Sequence, residues 1–239
     1  MCIPSAAGDS RSQAAQDIRA FQPGESLSYD ISWSNVMRAG TAVMEVRSET
    51  LADGRKALRI MLTSRSLGVL DKLYHLGDTI QSVFDVEGLR SLSYNLQARH
   101  GKKTRRLDIS FDYERKQATI RLNDDPPESV PIPDQVQDPL TILYYLRTRE
   151  DFSPDRPIVF KAFEHDKASD IEVHALGRER VKTPAGEFET IKVRAQRGLF
   201  MGEGEVFIWL TDDVRKIPVL IKSKVSVGSL IFTLTGVKS

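Results

Sequence analysis

Apolar residues fall on every second position in one segment of this chain after another, and that period points to a sheet. Ser26 to Ser34 shows it most cleanly. Leu27, Tyr29, Ile31 and Trp33 share one parity, while the serines and Asp30 take the other. Successive side chains of a strand point to opposite faces, so this segment is apolar on one side only. Ala57 to Leu62, Ile80 to Phe84, Leu92 to Ala98, Leu107 to Tyr113 and Ala118 to Leu122 are predicted as further strands. Turn chemistry separates them at Asp53-Gly54, Glu87-Gly88 and His100-Gly101, and Ala39-Gly40 is expected to turn the chain before Thr41 to Val46.

The pattern stops at Asn123. Between Asn123 and Pro139 lie Pro126, Pro127, Pro131, Pro133 and Pro139, and proline cannot donate to a sheet ladder, so this stretch is expected outside the sheet. A helix is predicted over about 139–148. Asp138 suits its N-cap and Pro139 its first position, Leu140, Leu143 and Tyr144 form an apolar stripe, and Arg147 and Arg149 fall at the negative C-terminal end. A helix of about ten residues is marginal alone in water, so it must dock on the sheet.

Strands resume at Ile158 to Phe163, Ile171 to Val181, Phe188 to Ala195, Glu205 to Thr211, Ile217 to Lys222 and Leu230 to Leu234. A hairpin is predicted at Thr183-Pro184-Ala185-Gly186. Val206 to Leu210 is apolar without interruption, as in a strand covered on both faces, and the helix is one candidate cover. The expected fold is mainly β: a large antiparallel curved sheet or partly open β-barrel with one short covering helix at about 139–148. Residues 1–20 are expected to form a disordered N-terminal tether and residues 21–239 a single β domain.

A chain of 239 residues can bury about 70% or more of its unfolded surface, so it needs no metal or disulfide as a staple. With 34 basic and 33 acidic residues the net charge is +1, which provides no long-range field to gather nucleic acid. No run of about 18 apolar residues occurs, so no transmembrane helix is expected.

The motifs of phosphate loops, dinucleotide sites and serine nucleophiles are absent. His75, His100, His165 and His174 are scattered, without the spacing of metal ligands. In Glu164-His165-Asp166 a strand would turn both carboxylates away from the imidazole. No catalytic residue, metal or cofactor is expected.

Two charged segments stand out. Arg99, His100, Lys102, Lys103, Arg105 and Arg106 gather at a hairpin tip, which suits a solvated face or contact with lipid headgroups or sugar acids. Asp124, Asp125, Glu128, Asp134 and Asp138 lack the ligand order of a calcium loop. In the glycine-rich stretch from Gly198 to Gly204, the apolar tip Leu199-Phe200-Met201 is a candidate contact for a partner or lipid, the alternative being a loop folded back over a sheet end.

The only cysteine is Cys2, which excludes an intramolecular disulfide and a zinc site built on several cysteines. It precedes a polar, small-residue run, Ile3 to Gln13, too poor in apolar residues to pack. Processed bacterial lipoproteins begin this way, with a lipidated cysteine ahead of a polar tether. Cys2 is therefore the candidate lipidation site, behind a signal peptide in the precursor.

Several phrases, in order, resemble the bacterial family catalogued as domain of unknown function 3108. They are Phe21-Gln22-Pro23-Gly24-Glu25 with Leu27 and Tyr29, Ala39-Gly40, Asp85 with Gly88-Leu89, Asp138-Pro139-Leu140, and Tyr145-Leu146-Arg147. Thr183 to Phe188 and Ile208 to Asp213 with Pro218-Val219 complete the set. The resemblance implies a secreted or envelope-anchored β protein and carries no catalytic residues.

The functional expectation is a non-enzymatic lipoprotein on the periplasmic face of the bacterial envelope, the alternative address being cytoplasmic. It would hold a lipid or other apolar ligand in its curved sheet, with Tyr29, Trp33, Tyr94, Phe111 and Leu143 as candidate lining residues. The rival expectations are a structural or assembly subunit docking another envelope protein and, third, a carbohydrate-active enzyme with dispersed carboxylates.

Overall fold

The computed structural model describes residues 19–34, 37–67, 76–101, 103–164, 166–195, 204–224 and 228–238. The fold is mainly β. The strands are β1 (Ser26–Trp33), β2 (Met37–Thr50), β3 (Lys56–Ser66), β4 (Leu76–Asp85), β5 (Arg90–His100), β6 (Lys103–Asp112), β7 (Gln117–Leu122), β8 (Glu128–Pro131), β9 (Ile158–Glu164), β10 (Lys167–Thr183), β11 (Gly186–Ala195), β12 (Val206–Thr211), β13 (Pro218–Lys224) and β14 (Ser229–Lys238). One helix, α1 (Thr141–Arg147), lies between β8 and β9 among the described residues.

All fourteen strands form one antiparallel sheet, in the order β8-β7-β6-β5-β4-β3-β2-β1-β14-β13-β12-β11-β10-β9. Nearly every neighbour in space is a neighbour in sequence. The exception is β1 with β14, which joins the two ends of the chain at the centre of the sheet.

The period-two pattern then does its work. Leu27, Tyr29 and Ile31 of β1 meet Met44 and Ala42 of β2 and Leu234 and Phe232 of β14, and all are buried. The same face of the other strands joins them in one apolar core, so the sheet curls around its own inner face.

The two edge strands, β8 and β9, do not pair with each other. One residue spans part of the gap. The Gln137 N–H donates to the Lys161 carbonyl (2.9 Å), and the Phe163 N–H donates to the Gln137 carbonyl (2.7 Å), making a parallel bridge to β9. The barrel is thereby tied at the level of Gln137, and its strand edges stay unpaired beyond.

Three local expectations need correction. Ala39-Gly40 is no turn but part of β2, and Gly40 is needed there because a Cβ would come within 2.2 Å of the Arg65 carbonyl oxygen on β3. The proline-rich stretch does contribute a strand, β8, but only a four-residue one at the sheet edge, where proline's missing donor costs nothing. The outer face of the apolar β12 is covered by charged stems rather than by a helix. Lys192 lies over the Trp209 ring and Lys224 over that of Phe207, and the Trp209 indole N–H donates to Glu179.

The helix differs most. The sequence predicts one apolar stripe on the sheet, with Arg147 at the negative C-terminal end. Instead all seven residues, Thr141 to Arg147, are buried. α1 is a plug enclosed by the curved sheet.

Leu143→Ala should therefore cost about 2–5 kcal/mol in a denaturant melt, through the cavity it leaves in a closed core. A loss below about 1 kcal/mol would contradict a filled interior at α1.

Candidate functional site

The C-terminal end of α1 is held by a buried ion pair. Arg147 Nη1 and Nη2 donate to Glu25 Oε1 and Oε2 at 2.6 and 2.7 Å. Nη2 also donates to the Ala20 carbonyl (2.8 Å) and Nε to the Arg215 carbonyl (3.1 Å). The guanidinium lies near the rings of Phe21 and Tyr144. Burial works against its charge, and the contacts with Glu25 outweigh it, so Arg147 stays firmly protonated. One side chain thus ties together α1, the arm preceding β1 and the loop between β12 and β13.

The N-terminal end is held by hydroxyls. Asp138 Oδ1 accepts from Ser82 Oγ (2.9 Å) and from the N–H groups of Leu140 (2.8 Å) and Thr141 (2.9 Å). The Ile142 N–H reaches back to the Asp138 carbonyl, so Asp138 caps this turn although regular helix begins at Thr141. The Asp138 N–H donates to Ser91 Oγ (2.7 Å), which lies 2.5 Å from Thr141 Oγ1. Asp138 Oδ2 has no hydrogen-bond partner among the described residues. Burial raises the carboxyl pKa to about 6, against the hydrogen bonds that favour its ionised form.

Among the described residues, clefts open at the end of the plug and at the sheet edges. One, of about 800 Å³, lies over the C-terminal end of α1. It is bordered by Arg19, Leu89, Arg149, Arg178, Asp212 and Lys216. Its charges are largely spent on one another, as in Arg178 with Asp212 and Arg149 with the nearby Asp151.

The second, of about 330 Å³, lies along the seam between the sheet edges. Leu107, Ile120, Leu122 and Pro126 form its apolar wall, with Arg105, Asp125 and Glu128 on the same side and Asp166 from the β9–β10 turn. Leu107, Ile120 and Leu122 are inner-face residues, in register with Ile109 and Ala118 of the core. Here the inner wall of the barrel reaches solvent, and Leu122 is 37% exposed.

The structure separates the residues singled out from sequence. Tyr29, Tyr94, Phe111 and Leu143 are packed in the core, and neither cleft is lined by them. The Tyr29 hydroxyl donates to the Pro218 carbonyl (2.9 Å), and burial raises the pKa of both Tyr29 and Tyr94. Trp33 sits at the rim, 36% exposed. Cys2, Leu199, Phe200 and Met201 lie outside the described residues, as do His75 and His165. His174 lies 3.4 Å from Glu172. Among the described residues no group of acids, histidines and cysteines could hold a metal ion.

Sequence reading missed the roles of Glu25 and Arg147, because a charged residue just before a strand or at a helix end is ordinarily solvated. It also missed the seam, since alternation shows which face a residue takes but not which strands remain unpaired.

Glu25→Gln should cost about 3–5 kcal/mol in a urea melt, because it leaves the Arg147 charge buried without its counter-ion. A cost under about 1 kcal/mol would mean that the pair does not anchor α1. Asp138 has a pH signature. Its folded-state pKa lies above the ordinary carboxylate value, so its contribution to stability is full below about pH 4 and is lost as pH rises through about 6. The Tm of the protein relative to that of Asp138→Asn should therefore rise between pH 7.5 and pH 5. A constant difference would contradict this.

Comparisons with known proteins bear on fold and family. A β-barrel-like protein of a domain of unknown function, DUF1849, from Brucella abortus superposes with a TM-score of 0.60 at 12% identity, over 92% of this chain and 98% of that one. That likeness shows the fold alone. A Bacteroides fragilis protein with a YmcC-like fold, provisionally described as exported, gives a TM-score of 0.38 at 11% identity, over 91% and 97% of the two chains. A Parabacteroides distasonis protein, provisionally described as a lipoprotein, gives 0.37 at 12%, over 91% and 96%. No curated protein matches the chain. A family model does match, over residues 28–235, and the chain belongs to that family, described as protein of unknown function (DUF3108).

Proposed function

We propose that the protein is a non-enzymatic lipoprotein on the periplasmic face of the bacterial envelope, tethered through Cys2, that takes one apolar chain into the seam. The observation that supports this is the exposure of Leu122 beside half-buried Leu107 and Ile120. They belong to the barrel's inner wall yet border a solvent-open cleft of about 330 Å³. That volume is at the low end of the range of small-molecule sites, which suits one chain rather than two. Exposed apolar surface lining a concave groove is the chemistry by which such chains are taken from water.

This reading differs from a cavity lidded by the helix. The space around Leu143 is filled, so uptake at α1 would require the plug to leave. The envelope address rests on Cys2 and the polar run after it. The assembly-subunit reading placed its contact at Leu199-Phe200-Met201, outside the described residues, and the seam supports chain uptake better.

Titration with a neutral naphthylamine dye tests this. The parent protein should bind the dye, and Leu122→Asp should weaken binding by at least about tenfold, equivalent to roughly 1.4 kcal/mol. Val159→Asp, on the outer surface of β9, should leave it unchanged. Absence of dye binding to the parent, or equal loss in both variants, would overturn the proposal.

A further inference from the structure

Because the strands run up and down in turn, the ends of β1, β3 and β5 and the starts of β2, β4 and β6 lie at one end of the barrel. Three large apolar side chains are exposed there, on adjacent strands. Trp33 of β1 is paired with Met37 of β2, and the Leu67 N–H donates to the Ala39 carbonyl, which brings the end of β3 beside them. They are between 36% and 47% exposed, whereas Leu27, Tyr29 and Ile31 further down β1 are buried. Gly228 lets the Trp33 indole lie at the rim, since an added Cβ would come 2.9 Å from its Nε1.

Cations stand behind this tip on the outer face. Arg65 of β3, Gly77 of β4 and Arg99 of β5 share one cross-strand row, and the glycine leaves no side chain between the two guanidiniums. Both arginines are exposed and make no ion pair among the described residues. Arg38 of β2, bonded to Asp30 (2.5 Å), and exposed Lys103 of β6 extend the arc. Asp78 of β4 has the inward parity of Ile80. Asp124, Asp125, Glu128, Glu164 and Asp166 lie on β7 to β10, to either side of the seam, and Glu205 is bound by Lys224.

We infer that the arc from β1 to β6 docks on an anionic phospholipid surface. Trp33, Met37 and Leu67 enter the headgroup layer, and Arg38, Arg65 and Arg99 meet its phosphates. Tryptophan favours the membrane interface, and basic side chains are drawn to anionic lipid. Three apolar side chains bury little area, so binding depends on the cations as well. A net charge of +1 does not oppose this, because screening over about 8 Å leaves the headgroups facing this arc alone. The inference goes beyond uptake at the seam, which Leu122→Asp tests separately.

The test mixes the full chain with vesicles of phosphatidylcholine, alone or with phosphatidylglycerol, and follows flotation and tryptophan emission. Trp33 reports contact, because the other tryptophan, Trp209, is buried. The mixed vesicles should bind the protein and shift its emission to the blue, and neutral vesicles should bind far less. Trp33→Phe should remove the shift. Arg65→Glu should weaken binding by about fivefold or more. Arg115→Glu makes the same charge change on an exposed residue of the β6–β7 turn, at the opposite end, and should leave binding unchanged. Circular dichroism checks that the variants remain folded. Failure to bind the mixed vesicles, equal binding to both kinds, equal loss in the two arginine variants, or binding without a Trp33 shift would overturn the inference. So would self-association of the lipid-free protein that Met37→Asp abolishes, since a second copy would then cover the tip.

Discussion

A guanidinium enclosed in an apolar interior dictates much of this architecture. Arg147 has no exposed side-chain surface, and a charge so placed is tolerated only where counter-charge and hydrogen-bond acceptors meet it. Glu25 supplies the charge, and the carbonyls of Ala20 and Arg215 supply further acceptors. These partners come from regions far apart in sequence. The arm before β1, the loop after β12 and the end of α1 must therefore all be in place together. The helix is too short to be stable by itself, and the sheet has an inner face that must be covered. Each completes the other, and Arg147 fixes how they meet.

The plug divides the barrel. Around α1 the interior is packed, its N-terminal end bonded to β4 and β5 through Asp138, Ser82 and Ser91. Past the parallel bridge at Gln137, the sheet edges part. Proline explains why β8 is too short to seal them: Pro126 and Pro127 precede it and Pro131 ends it. Leu107 and Ile120 thus stay half-buried at the edge of the core, and Leu122 is exposed. The opening is a consequence of where strand pairing stops.

Much of this was legible in the sequence, for a simple reason. A period of two is a local property, so strands, their inward faces and most turns could be read from neighbours alone. Asp138 was legible as a cap because an acid ahead of Pro139 has few other uses. Other features depend on contacts distant in sequence. Arg147 looks like an ordinary helix-end cation until Glu25, 122 residues away, is brought against it. Gly40 looks like a turn until Arg65 of β3 is seen to crowd it. Tyr29, Tyr94 and Phe111 have the strand parity, and Leu143 the helical stripe, of inward-facing residues, but neither period can distinguish a filled interior from an empty one. Leu122 ends a short strand, and nothing local shows that no edge strand lies beside it.

Hydrogen exchange with and without the naphthylamine dye tests the division between plug and seam most directly. Amides of α1 should exchange slowly in the free protein and be unchanged by the dye, while added protection is confined to β6, β7 and β8. Fast exchange across α1, or dye-induced protection there with none at the seam, would show that the helix lids the site, and the account would be wrong.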